Sequence, residues 1–362
     1  MKKFVLKSIL LIILVFGPVI AINLIVDPAH LFNTQLVDDA ADALSAGKII
    51  ESPGDFDEGL LLEKVLDGLN EKPDTIIVGS SHIMYTPWAF DNYYVAGLSG
   101  AYVGDYFAVC GLLDSKDMLP KKLVFGIDPW AFDSAYDKGR HTYLSPMASY
   151  EYNVIHANTN KTSRLNFDGL KKYKEVYSFS YFQSSVKNLK GRGFNYYFGK
   201  SAGEIRTVSE PASSGEALIF PNGSRQMPAS AFESVESINN AAISAVESGK
   251  VYQLKPNFDP SKSVNYEDFL DLLKSLMDRG IDVEIYLASW HPVLYDYFDN
   301  AKDYHGVVLL EEALREFARE NGIVLHGSYN PNFCNVTAQD FSDWLHLKPE
   351  KMLENYNVIL DK

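Results

Sequence analysis

The stretch Asp74-Thr75-Ile76-Ile77-Val78-Gly79-Ser80-Ser81-His82 decides how this chain is read. Its apolar run has the length and composition of a buried strand, and Pro73 closes off the helical region before it. Gly79 and the two serines then turn the chain, so Ser81 is expected at the strand's carboxyl end. Far downstream, Asp343-Trp344-Leu345-His346 supplies an acid and an imidazole. A serine hydroxyl is a poor nucleophile at neutral pH. It needs an imidazole to take its proton and a carboxylate to hold that imidazole in one tautomer. Ser81, His346 and Asp343 together would meet that need.

Outward from Val78, short apolar strands alternate with helices. Lys122-Leu123-Val124-Phe125-Gly126-Ile127 is the next clear strand and ends in Asp128-Pro129-Trp130. A short extended piece at 93–96 and a helix near 103–114 lie between. A helix over 265–277 stops at Gly280 and leads to strand 283–287. A helix near 308–320 ends at Asn321-Gly322 before strand 323–325. Such alternation implies a mainly parallel sheet covered on both faces, an α/β/α arrangement. Working residues in these sheets gather past the strands' carboxyl ends, where Ser81, Asp128 and Ser289-Trp290-His291 are expected. Residues 131–262 break the rhythm and are read as a long insertion, with candidate helices near 166–190 and 229–248, able to roof the site.

The chain has 362 residues, of which 46% are hydrophobic, enough for one large core or two modest ones. A net charge of −14 argues against nucleic-acid binding, which needs a basic face. Lys2, Lys3 and Lys7 precede an apolar run from Ser8 to Val26, long enough for one bilayer crossing with its N-terminus cytoplasmic. A cleaved signal peptide is the rival reading, but no small-x-small cleavage pattern follows. Either way the rest of the chain is expected outside the cytoplasm. The organisation expected is an anchor over 1–27, a helical linker over 28–71, and one domain over 72–362. Cys110 and Cys334 lack metal-ligand spacing, and two cysteines alone carry no disulfide framework. No metal or cofactor is expected. Asn160, Asn222 and Asn335 begin glycosylation sequons, a pattern as common by chance as by design.

The motifs resemble the SGNH (GDSL-like) hydrolases. Gly79-Ser80-Ser81-His82 is similar to their first block, with Ser81 as nucleophile, and Asp343-x-x-His346 to their last. Gly100, in Leu98-Ser99-Gly100-Ala101, is similar to the second-block glycine, whose N–H would join that of Ser81 in an oxyanion hole. The third block's asparagine is replaced here by Asp128, and a carboxylate cannot donate to an oxyanion unless protonated. The resemblance covers about 72–130 and 265–350. It is nearer to a membrane-anchored branch of surface-polymer acylation, including alginate O-acetylation and teichoic-acid D-alanylation proteins. That branch often has an anchor ending near Asp-Pro, as Asp27-Pro28 does here.

The resemblance implies extracytoplasmic serine-dependent acyl transfer, or ester hydrolysis, on a cell-surface polysaccharide, without a cofactor. It also implies partnership with a membrane-bound O-acyltransferase. The alternative is an inactive SGNH-like module that binds polysaccharide or docks such a partner. His82, Asp128 and His291 stand as further candidates for substrate binding. Each has a plainer reading: a capping residue, a loop-holding carboxylate and a turn histidine.

Overall fold

The computed structural model describes residues 2–28, 31–53, 56–132, 144–157, 171–193, 197, 205–211, 214–249, 251 and 256–360. Nine strands fall within them: β1 (Ile49–Glu51), β2 (Thr75–Gly79), β3 (Tyr93–Gly97), β4 (Lys122–Gly126), β5 (Thr207–Val208), β6 (Leu218–Ile219), β7 (Arg225–Gln226), β8 (Asp282–Leu287) and β9 (Val324–Gly327). The helices are α1 (Lys2–Val26), α2 (Gln35–Ser45), α3 (Glu58–Gly68), α4 (Ser81–Met84), α5 (Val103–Ser115), α6 (Ser145–Ile155), α7 (Phe179–Arg192), α8 (Val235–Glu247), α9 (Val264–Asp278), α10 (Pro292–Asn300), α11 (Gly306–Asn321) and α12 (Pro349–Tyr356).

The main sheet has the order β3-β2-β4-β8-β9, and every neighbouring pair is parallel. The chain winds from β2 out to β3, crosses back to β4, and then proceeds the other way. The strand order therefore reverses between β2 and β4, where the loops diverge and leave a crevice past the carboxyl ends. All five residues of β2 are buried, which is why it reads as a continuous apolar run rather than an alternating one.

Alternate side chains along each strand serve two cores. Ile76, Val78, Leu123, Phe125 and Ile285 join the large core with α5, α9 and α11. Ile77, Val95, Val124 and Tyr286 point the other way, into a smaller cluster with Trp88 and Tyr356. That second face is covered by α4, α12 and aromatic rings. Trp88 meets Tyr356 edge-on at 4.9 Å and Tyr286 edge-on at 5.8 Å. Each such buried side chain contributes about 1.5–3 kcal/mol of transfer free energy.

The insertion does more than add to the surface. Its short strands build an antiparallel sheet around β1 from the expected helical linker: β5 and β6 flank β1, and β7 pairs with β6. The turn between β6 and β7 then lies along the open edge of the main sheet, where the Asn222 carbonyl accepts from Val95 N–H at 2.8 Å. Gly223 makes that approach feasible. Its φ is +77°, and a Cβ there would lie 2.3 Å from the Val95 carbonyl oxygen. The edge strand β3 is thus covered rather than left as a template for foreign pairing. The Asn160 sequon and residues 166–170 of the expected helix lie outside the described residues. So do residues 133–143 of the insertion expected to roof the site.

The anchor expected over 1–27 falls on the N-terminal helix α1. Among the described residues no helix is long and apolar enough to cross a membrane. What is seen there is α1, a 25-residue helix with Pro18 inside it. Near its C-terminal end the buried Asn23 amide lies 3.1 Å from each of the Glu175, Val176 and Ser178 carbonyls. Asp27 accepts from the Tyr181 hydroxyl at 2.6 Å and from the backbone of Leu31, Phe32 and Asn33. That end of α1 is therefore tied to α7 of the insertion. Cys110 and Cys334 are both buried free thiols, so no bridge joins them.

Candidate active site

Ser81 is the first residue of α4, directly past β2. Ser80 caps that short helix by accepting from His82 N–H at 3.2 Å. The helix is seated by close packing over β4. A Cβ on Gly126 would fall 2.2 Å from Cγ2 of Ile83, so only glycine lets Ile83 sit there. Ser81 is thereby held at the edge of the crevice where the strand order reverses.

The second element is a tight loop closed by the Phe341–Leu347 bridge and by Ser342 N–H donating to the His346 carbonyl at 2.8 Å. Asp343 organises it from within. Its Oδ1 accepts the backbone N–H groups of Leu345 and His346, both at 2.7 Å, and Oδ2 lies 2.8 Å from His346 Nδ1. An ionised carboxylate only accepts, so Nδ1 carries the proton and Nε2 is left with its lone pair. Nε2 is 2.8 Å from Ser81 Oγ and takes the hydroxyl proton in that hydrogen bond. Serine, imidazole and carboxylate thus form one continuous chain, built from residues 265 positions apart. Burial alone would raise the Asp343 carboxyl. The hydrogen bond and charge of His346 and the loop N–H groups outweigh that and hold it below the usual carboxylate range. Side-chain exposures of 19% for His346 and 29% for Asp343 leave the chain open to small molecules.

Gly100 lies in the turn that follows β3, the neighbour of β2. Gly97 pairs with Gly79, and Leu98 N–H continues the ladder to the Gly79 carbonyl at 2.9 Å. The 98–101 turn therefore leaves the same sheet edge as Ser81. Gly100 has φ +59°, and Trp130 Nε1 donates to the following Ala101 carbonyl at 3.1 Å. Ser99 is gripped by Glu58, which accepts its N–H at 2.5 Å and its hydroxyl at 2.9 Å. Arg225 of β7 pairs with the same Glu58 at 2.6 Å.

The three secondary candidates are all buried. His82 is buried, with 6% of its surface exposed. Its Nδ1 bonds Asp128 Oδ1 at 2.6 Å. Asp128, itself buried, faces that imidazole instead of the oxyanion position. Desolvation would lower the His82 pKa. The charge and hydrogen bond of Asp128, with Asp343 and the Leu345 backbone adding to them, raise it overall. His291 is also buried and caps α10 through Nδ1, which accepts from Val293 N–H at 3.3 Å. Its ring meets Phe341 at 5.2 Å, behind the Asp343 loop, and burial pushes its pKa down to about 4. It is a neutral packing and capping residue, as its position before Pro292 allows.

Sequence reading missed Glu58 and Arg225. The Tyr85 ring meets His346 edge-on at 6.1 Å. Glu58 had a local signal, as the first acidic residue of a helix, but nothing in the sequence tied it to Ser99. Among the described residues one group has cation-ligand spacing: His156, Asp268 and Asp271, with ligand atoms within 4.8 Å of one another. It lies where α6 ends against α9, and Tyr152 both donates to Asp268 at 3.4 Å and packs on His156. It has no part in the Ser81–His346–Asp343 chain.

Compared with known proteins, the chain matches no protein family, and a search of curated proteins returns no relative.

Proposed function

We propose that the chain is an SGNH-like serine acyl-transfer enzyme. The supporting observation is the unbroken Ser81–His346–Asp343 hydrogen-bond chain at the carboxyl edge of a doubly wound sheet. In this reading His346 Nε2 accepts the Ser81 proton as Oγ attacks the carbonyl carbon of an ester or thioester. The N–H groups of Ser81 and Gly100 hold the developing oxyanion. His346 then returns the proton to the leaving oxygen or sulfur, giving an acyl-serine. In the second half, His346 deprotonates water or a sugar hydroxyl, which attacks the acyl carbonyl and frees Ser81.

With Asp128 turned to His82, the third oxyanion donor of the resembling family has no counterpart at that position. Loss of one such donor costs about 10²–10³ in rate in enzymes where it has been removed. That suits a slow transferase fed by a partner better than a fast lipase. The resemblance to surface-polymer acylation proteins supports a polysaccharide acceptor, an extracytoplasmic location, an α1 membrane anchor and a membrane-bound O-acyltransferase as acyl source.

A serine-directed fluorophosphonate tests the reading on the full-length protein. Covalent labelling confined to Ser81, and lost in Ser81→Ala, is the expected result. Absence of labelling in folded protein would leave the inactive binding module as the better account.

A further inference from the structure

We propose that Glu58 and Arg225 are positioning residues for the proposed oxyanion hole: together they clamp the leading half of the 98–101 turn, so that the Gly100 N–H faces the carbonyl oxygen of the group that acylates Ser81. The inference rests on the serine reading above and deepens it at the second oxyanion donor.

The turn is built to aim one peptide. Ala101 N–H closes it on the Leu98 carbonyl at 2.9 Å. Of its two central residues Gly100 alone has a positive φ, +59°, which is the type II arrangement. The peptide at the centre of such a turn, here Ser99–Gly100, has an alternative orientation about half a revolution away, that of a type I turn. The Gly100 N–H faces one side of the turn in the first orientation and the opposite side in the second. Its direction is therefore set by what holds the residues before and after it.

On the trailing side, Trp130 Nε1 donates to the Ala101 carbonyl at 3.1 Å. On the leading side Ser99 is exposed, yet one carboxylate takes both of its donors. Glu58 Oε2 accepts the N–H at 2.5 Å and Oε1 the hydroxyl at 2.9 Å. Glu58 is itself fixed. It is the first residue of α3, which Asp57 caps by accepting from Leu60 N–H at 3.0 Å and which buries Leu60, Leu61, Leu62 and Val65. Arg225 Nη1 lies 2.6 Å from the same Oε1, and its guanidinium sits over the Phe56 ring at 5.8 Å. Side-chain exposures of 16% for Arg225 and 18% for Glu58 keep this charge-assisted contact largely out of water. Arg225 belongs to β7, whose connection to β6 rests on Val95 of β3, the strand from which the turn departs. The clamp is thus referenced to the sheet that carries Ser81.

Glutamine at position 58 has one acceptor oxygen in place of two, so one Ser99 donor is lost, and Arg225 loses its countercharge. The leading half of the turn then moves more freely, and the Gly100 donor spends part of its time turned away. The hydrogen bonds joining Ser81, His346 and Asp343 do not involve Glu58.

The test is a cycle of fluorophosphonate labelling rates at Ser81 in full-length protein, read with melting temperatures. Glu58→Gln should slow labelling about tenfold, with every molecule still labelled at the end. The pH of half-maximal rate should stay in place, because His346 sets it. In a Gly100→Ala background, where the positive φ is already disfavoured, Glu58→Gln should change the rate by less than about twofold. Ser99→Ala removes the hydroxyl and keeps the N–H, and in that background too Glu58→Gln should cost less than in wild type.

An unchanged rate in Glu58→Gln overturns the inference. So does a loss in the labelled fraction rather than in rate, a shifted pH of half-maximal rate, or an equal loss in wild type and Gly100→Ala, each the mark of a merely structural role. Should Gly100→Ala fail to fold, the Ser99→Ala cycle decides, and additive losses there overturn the inference. All these results leave the serine reading intact. No labelling of folded wild type at any pH overturns both.

Discussion

Glu58 and Ser99 are joined twice: one carboxylate oxygen takes the Ser99 N–H and the other its hydroxyl. The bond links helix α3, in the segment preceding the main sheet, to the turn that carries Gly100. Arg225 of the insertion holds the same carboxylate. Three parts of the chain that look independent in sequence therefore converge on the loop proposed to bind an oxyanion. Glu58→Gln should leave the fold in place and slow Ser81 labelling by about tenfold, the effect of one loosened charge-assisted contact. Arg225→Gln should act in the same direction, and the double variant should show less than the product of the two effects. Labelling rates and melting temperatures of all three variants check this.

Asp343 has two tasks, folding its loop through Oδ1 and orienting His346 through Oδ2. Asp343→Asn keeps an acceptor oxygen for the loop but offers an amide to the imidazole, which favours the wrong tautomer. The expected loss is about 10³–10⁴ in acylation rate with little change in melting temperature. Ser81→Ala should abolish labelling and leave stability unchanged within about 0.5 kcal/mol.

Glu284 predicts a different pH dependence, one of stability. On β8 it accepts from Lys122 of β4, His326 of β9 and the Tyr356 hydroxyl of α12. Burial alone would raise its carboxyl, but the hydrogen bonds from His326, Lys122 and Tyr356 hold it down at about 2. A carboxylate with a depressed folded-state pKa contributes stability above its unfolded value of about 4.5, and that contribution is lost as pH falls toward 2. Glu284→Gln should cost on the order of 3 kcal/mol at pH 7 and flatten the dependence between pH 5 and 2. Urea titrations across that range would show it.

Gly223→Ala tests the cover over the edge strand. It places a side chain at a positive φ and against the Val95 carbonyl. A destabilisation of about 1–3 kcal/mol is expected, with faster hydrogen exchange at Val95 N–H.

Much of this fold was legible in sequence because the signals were local. The apolar run at Ile76-Ile77-Val78, the helix stop at Gly280 and the Asn321-Gly322 cap each announce their element, and the strands and helices of the main sheet fall within a few residues of expectation. The approach of His346 to Ser81 was legible because parallel strands deliver their following loops to one edge. The β1–β5–β6–β7 sheet was not. Its strands have two or three residues each, too short for any periodicity to register. His82 and Asp128 each kept two readings, substrate contact or structural role, because a polar residue past a strand end can face outward or inward. Sequence does not reveal that each buries the other. His291, read as either a site residue or a turn histidine before Pro292, caps the helix that follows.

The pairing of Ile49 and Ile50 with Val208, Thr207 and Ile219 also bears on how this protein can be cut. A fragment starting at residue 72, where the main sheet begins, would look complete by strand count. It would lack both Glu58 and β1, the strand that lies between β5 and β6, and Ile219 would lose its partner Ile50. A shortened version that keeps this sheet has to begin before α2, so that the early segment folds along with the rest.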